Sequence, residues 1–299
     1  MRYLIICFIF YLYVVPVSAQ DSDLTPEQLE IIEQIQADSI QGRTGIIPID
    51  LANCTITVPT GYIFLDKDAS EHLLIDYWNN PSEAVEGIIG TLVKKDADIF
   101  YNVETAYVIS YENAGYVSDK DASSINYDEL LKRMQEEIKE ENKKSPYDQK
   151  WELLGWAWPP AYDNQKKVLS WAKLYRIIGE GDVINYDVRV LGKAGFVVIT
   201  AVASPDAKKQ LLDDNSAIIG SVRYNSGFRY SDFNPATDHV AEWTIGGLIA
   251  GKVLAKAGVW AMLAKFSKVI IIAVIGFFAV MRKRFARWIG YRREDDDNS

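Results

Sequence analysis

The chain has 299 residues, 48% hydrophobic and 24% charged, with 19 Gly and 10 Pro, which allows one large domain or two modest ones and excludes a disordered or low-complexity polymer. The formal net charge is −9; without Arg2 and the residues from Val259 onward, 23 basic and 37 acidic side chains remain, a net charge of −14. Such a chain repels phosphate backbones, so nucleic-acid binding is not expected.

In chain order, residues 1–19 read as a secretory signal peptide: Arg2, an apolar run from Tyr3 to Val15, then Pro16-Val17-Ser18-Ala19 with small residues for cleavage. The alternative is an uncleaved anchor, for which the run is short. Cys7 leaves with the signal, so Cys54 stands alone and no intrachain disulfide is expected. Thr25-Pro26-Glu27-Gln28 predicts a helix start within an N-terminal helix or spacer, 20–44. Residues 45–240 read as one exported domain. Short strands are predicted at 55–58 and 62–65, a helix at about 68–78, and strands at 87–93 and 101–111, the last alternating with a period of two. Asn126 caps a predicted helix from Tyr127 to about Lys144, with Leu130, Leu131, Met134 and Ile138 on one stripe. Strands at 168–178, 183–191 and 196–203, joined by Gly-bearing turns, predict antiparallel hairpins. A helix from Ser204 through Leu212 and a last strand from Ala217 to Tyr224 complete the pattern, which is α+β: an antiparallel sheet covered by helices.

A Gly/Ala-rich helix is predicted over 241–258, where Gly247 and Gly251 form a small-xxx-small pair suited to helix-mediated self-association. Val269 to Met281 carries no charge, and the preceding residues extend it to a transmembrane helix over 259–281 if Lys265 and Lys268 snorkel. Arg282, Lys283, Arg284, Arg287, Arg292 and Arg293 follow in the tail 282–299, which ends acidic and reads as a cytoplasmic flank. The expected topology is single-pass in a bacterial cytoplasmic membrane, with the bulk of the chain extracytoplasmic. A second span over 245–264 remains an alternative reading.

The chain has no G-x-S-x-G, H-E-x-x-H, G-x-x-x-x-G-K-[ST] or C-x-x-C, and its only histidines are His72 and His239. No cofactor, metal or catalytic residue is therefore assigned. Asp119, Asp121 and Ser123 resemble the start of a calcium loop, but Ser124 and Leu130 stand where a glycine and a glutamate are needed. Tyr147, Trp151, Trp156, Trp158, Tyr162, Trp171 and Tyr175 cluster around Pro159-Pro160 and Asp163, either as core filling or as rings for sugar stacking. Asp163 with Asp187 or Asp232 supplies the carboxylates for a hydrolytic alternative, with Asp238 a further carboxylate of the same kind.

Several stretches resemble the bacterial membrane-anchored family known as domain of unknown function 2167. They are Val58-Pro59-Thr60-Gly61-Tyr62 with Phe64-Leu65, Gly115-Tyr116-Val117 with Asp119 and Asp121-Ala122, Gly155-Trp156 with Pro160 and Tyr162-Asp163, Leu169 with Trp171-Ala172, Asn185-Tyr186 with Arg189 and Leu191-Gly192, and Tyr230 with Asp232-Phe233 and Asp238. Lys166 or Lys167 stands where the family has a histidine, and Lys143-Lys144-Ser145-Pro146 replaces an Arg-rich stretch. The resemblance implies a membrane-anchored exported α+β domain without an established activity. A looser similarity to PsbP- and Mog1-type proteins implies a helix-covered antiparallel sheet that binds partners. The expected function is a non-enzymatic interaction or accessory domain with an envelope or membrane protein partner, and the alternative is a carboxylate-dependent hydrolase or binder of envelope polysaccharide. The contact residues expected are Tyr116, Asp119 and Asp121 in one loop and Trp156, Trp158, Tyr162 and Asp163 in another.

Overall fold

The computed structural model describes residues 42–251 except 79, 81, 86, 96–104 and 145–149. The expected signal peptide, nearly all of the 20–44 spacer, the membrane helix and the tail lie outside the described residues. In order, the elements are β1 (Ile46–Ile49), β2 (Cys54–Thr57), β3 (Tyr62–Leu65), α1 (Lys67–His72), β4 (Ile88–Lys94), β5 (Ala106–Glu112), β6 (Tyr116–Ser118) and α2 (Tyr127–Lys144). They continue with β7 (Trp151–Asp163), β8 (Val168–Ile177), β9 (Gly181–Leu191), β10 (Phe196–Ala203), α3 (Lys208–Ser221), β11 (Val222–Tyr224), β12 (Val240–Thr244) and α4 (Ile245–Ala250).

The expected hairpins generate the main sheet. Seven strands lie in the order β3-β4-β5-β10-β9-β8-β7, every neighbouring pair antiparallel. A small sheet β1-β2-β11 and helix α3 cover one face, where Ile56, Tyr107, Tyr186, Ile199 and Ile218 form a buried core. On the opposite face Met134 and Ile138 of α2 pack with Val183, while Ile245, Leu248 and Ile249 of α4 pack with Leu191 and Trp171. Strand β9 is buried on both sides, which is why Ile184, Tyr186, Val188 and Val190 belong to the first core and Val183 and Leu191 to the second layer.

Local signals account for the helix starts. Asn126 Oδ1 accepts from the backbone N–H of Asp128 at 3.1 Å and of Glu129 at 3.2 Å, satisfying donors that α2 cannot pair internally. Helix α4 is capped twice, by Thr244 Oγ1 accepting from Gly247 N–H at 3.1 Å and by the Asp121 carboxylate accepting from Ile245 and Gly246 N–H at 3.2 and 3.1 Å.

Three expectations are corrected. The stretch 156–163 is not a loop but the larger part of β7, a 13-residue edge strand whose register against β8 shifts between Leu153 and Gly155, between Trp156 and Trp158, and between Trp158 and Ala161. Pro159 and Pro160 fit there because an edge strand leaves one row of backbone groups unpaired. Residues 217–221 are helical rather than strand: Leu211 and Ile218, seven residues apart on one face, are both buried, and α3 runs on to Ser221. Residues 241–244 form a strand, β12, which pairs parallel with β6, so the helix predicted from 241 begins at Ile245. Among the described residues no helix is long and apolar enough to cross a membrane.

Candidate functional site

At one end of the sheet, β6, the loop after it, the β7–β8 turn and the segment 229–233 converge on Asp119. Its Oδ2 accepts from the Tyr162 hydroxyl and from Lys167 Nζ, each at 2.8 Å. Its backbone N–H donates to the Tyr230 hydroxyl at 3.2 Å, and that hydroxyl donates in turn to the Val117 carbonyl at 2.9 Å. Lys167 Nζ lies 4.9 Å from the centre of the Tyr230 ring, a cation–π arrangement. Tyr116 stacks on Phe233 with centroids 3.8 Å apart and contacts Tyr230 at 4.5 Å. Lys167 adopts left-handed backbone, φ 58°, at the end of the β7–β8 turn, a conformation uncommon outside glycine that here aims its amine at Asp119.

Desolvation opposes ionisation of Asp119, but the bonds from Lys167 and Tyr162, with the Tyr230 hydroxyl close by, outweigh it, so the carboxyl is held below its ordinary pKa. Burial, with Asp119 close by, raises the Tyr162 phenol, and burial with Tyr116 and Asp119 raises Tyr230. Both phenols are thus neutral hydrogen-bond donors rather than bases.

This cluster forms one wall of a groove of about 560 Å³ lined by Tyr116, Lys166, Lys167, Arg223, Arg229, Tyr230 and Phe233 among others. Among the described residues that line it, none is Asp or Glu. In a chain of net charge −9, the lining brings four cations to four rings; Lys166 pairs with Asp163 and Lys167 with Asp119, which leaves Arg223 and Arg229 as the lining cations without an ion pair among the described residues, a surface complementary to a negatively charged, partly flat ligand.

The family described as protein of unknown function, DUF2167, has a model that matches residues 41–279. The chain belongs to that family. No curated protein matches it. Among solved structures, one similar chain is the cyanobacterial PsbP protein CyanoP from Synechocystis sp. PCC 6803, solved in solution, at 11% identity over 62% of this chain and 92% of that one with a TM-score of 0.34.

In this DUF2167 chain the residues expected from sequence separate. Tyr116 lines the groove, and Asp119 and Tyr162 come together behind it, bonded to each other and, through Asp119, to the lining residue Lys167. Asp121 caps α4 instead. Asp163 closes the β7–β8 turn, accepting from Gln165 and Lys166 N–H at 3.0 and 2.9 Å and pairing with Lys166 Nζ at 3.5 Å, and these contacts, the Lys166 N–H first, hold its pKa down. Trp156 and Trp158 do not share a surface, because the register shift between them turns them to opposite faces. Trp158 packs on Tyr186 in the first core, ring centres 5.2 Å apart, and Trp156 packs into the layer beneath α2 and α4. Sequence reasoning did not assign Lys167, Arg223, Arg229, Tyr230 or Phe233 to the site. For Lys167, Tyr230 and Phe233 a signal existed, since they lie at or beside the stretches that carry the family resemblance. Arg229 lies beside Tyr230 of the same stretch, and Arg223 had no such signal. Among the described residues no three His, Cys, Asp or Glu side chains gather as a metal site.

Proposed function

We propose that this domain is a membrane-tethered, exported binding module that holds an anionic segment of an envelope or membrane protein partner in the groove beside Asp119. The observation that carries this reading is the basic, ring-lined groove without a lining carboxylate on an acidic chain. Tethering and export rest on the sequence: the apolar N-terminus, the uncharged run Val269 to Met281 and the basic residues behind it. A hydrolytic role gains no support from the carboxylates, because each is otherwise engaged. Asp163 closes a turn, Asp232 accepts from Gly227 and Arg229 N–H at 2.9 and 3.0 Å, and Asp187 is fully buried in mid-strand. The Asp119 carboxylate accepts from Lys167 and Tyr162 and its backbone N–H is held by the Tyr230 hydroxyl, which makes it a scaffold behind the groove wall.

The test is photo-crosslinking of the full chain in native membranes, with the photoreactive residue at Ser231 on the groove and a control at exposed Lys139. The expected result is a protein adduct from position 231 that is absent from the control, weakened by salt and abolished by Arg223→Glu with Arg229→Glu. Adducts that survive the double charge reversal, or none from position 231, overturn the reading.

A further inference from the structure

On the sheet face beneath α2 and α4, a second polar cluster lies apart from the groove. Strand register sets Lys173 of β8 opposite Asn185 of β9 and opposite Trp156 of β7, and sets Asp187 opposite both Trp171 and Thr200. Asn185 and Asp187 are 0% exposed, Lys173 6% and Arg189 9%. Asp187 Oδ1 accepts from Arg189 Nη2 at 3.0 Å and from Thr200 Oγ1 at 3.2 Å. Among the described residues, Asp187 Oδ2, both amide atoms of Asn185, and the indole N–H groups of Trp156 and Trp171 have no hydrogen-bond partner. The Lys173 amine lies 5.8 Å from the centre of the Trp171 ring, and the Arg189 guanidinium lies 5.0 Å from the same ring.

Interiors rarely tolerate so many unpaired polar atoms in one place, so their concentration calls for a guest. Its chemistry follows from what the cluster lacks. Among the described residues of the cluster, two cations, Lys173 and Arg189, face one carboxylate, Asp187, a surplus of one positive charge. If Lys173 turns to Asp187 Oδ2 or Asn185 Oδ1, the groups still unpaired are mainly donors: the Asn185 amide, two indoles and the remaining amine hydrogens. Water supplies acceptors but no charge, and an uncompensated buried cation is costly. Burial accordingly lowers the Lys173 pKa, with Asp187 opposing and Arg189 reinforcing the shift.

We propose that Lys173, Asn185, Arg189 and the Trp156 and Trp171 indoles form a buried site for one small oxyanion, a carboxylate or a phosphate. The Asp187 carboxylate orients Arg189, and the anion provides the missing negative charge and the acceptors for the two indoles. The site is independent of the groove and of the partner proposed for it.

The experiment uses the full chain in detergent micelles, with thermal unfolding and titration calorimetry in formate, inorganic phosphate and chloride at constant ionic strength. Formate or phosphate is expected to raise the unfolding midpoint saturably with one anion per chain, and whichever does so identifies the class. Lys173→Met removes the charge and Asn185→Asp supplies the negative charge from within, so each weakens the anion by about tenfold or more, the loss expected for a charged hydrogen-bond partner. Arg223→Ala, on the groove, leaves the affinity unchanged. The proposal is overturned if neither oxyanion acts beyond chloride, if Lys173→Met and Asn185→Asp keep full affinity, or if Arg223→Ala weakens binding as much as they do, which places the anion in the groove.

Discussion

At Asp119 an amine and a phenol meet one carboxylate in the loop after β6, and the energetics of that meeting depend on charge. Its side chain is 20% exposed and that of its partner Lys167 27%, so the pair is neither freely solvated nor sealed from water. The folded-state pKa is depressed, so the carboxylate stabilises the fold fully above its unfolded-state value near 3.8 and loses that contribution as the pH falls through the lower folded-state value. Asp119→Asn is expected to lower stability by about 1–2 kcal/mol at neutral pH, since the hydrogen bonds it weakens are made to an ionised acceptor. The gap between wild type and variant should begin to narrow near pH 4 and close only once the pH is below the lower folded-state value. Denaturant unfolding of both proteins across that range measures it. A gap that persists unchanged in acid would mean that the donors hold the shape of the side chain rather than its charge.

Between elements, α3 is fastened to the sheet by hydroxyl groups as well as by Leu211 and Ile218. The Tyr62 hydroxyl of β3 donates to Asp214 Oδ2 at 2.6 Å, the Tyr107 hydroxyl of β5 donates to the same oxygen at 3.1 Å, and Tyr186 of β9 donates to Asn215. Asp214→Ala removes the shared acceptor and strands two part-buried hydroxyls, a cost of about 2 kcal/mol. Because both tyrosines use one oxygen, Tyr62→Phe should cost less in the Asp214→Ala background than in wild type, and a double-mutant cycle by denaturant unfolding reads the difference. Equal costs in both backgrounds would show that α3 is held by its apolar face alone. The same distinction between local and tertiary signals decides what was legible in advance. Asn126 with its apolar stripe, and the glycine turns flanking β9, carry their information within a few residues, and α2 and the hairpins were readable from them. Strand β7 was not readable, because its register shifts destroy the period of two and its prolines are acceptable only at a sheet edge, a position that no local stretch reveals. The alternation of Asn185, Asp187 and Arg189 has the pattern of a solvent-facing row, yet α2 and α4 cover it. For the groove and the cluster behind it, Tyr116, Asp119 and Tyr162 are legible in the sequence, while the convergence of Lys167, Arg223 and Arg229 on the groove depends on how the β7–β8 turn, β11 and the segment 229–233 meet in space.

For the molecule as a whole, α4 is the element that decides where the domain ends. Counted by length it is minor, six residues from Ile245 to Ala250, and the sequence alone assigned it to a connecting helix outside the domain. Its packing argues otherwise. Ile245 and Ile249 are 0% exposed and Leu248 3%, in one cluster with Trp171, Leu191, Phe196 and Trp243, and its first two N–H groups hold the carboxylate of Asp121. The seven-stranded sheet needs a lid on this face, and α2 with α4 provides it. A fragment of residues 42–251 is therefore expected to fold with a cooperative transition, whereas one ending at Thr244 uncovers the three aliphatic side chains' contacts. At about 1.5–3 kcal/mol for each buried side chain, the loss is about 4.5–9 kcal/mol, comparable with the entire stability of an ordinary domain. Urea unfolding followed by far-ultraviolet circular dichroism distinguishes the two fragments: the shorter should show no cooperative transition, or one displaced to much lower urea. Matching midpoints would place α4 outside the cooperative unit, and the domain boundary would then lie at β12.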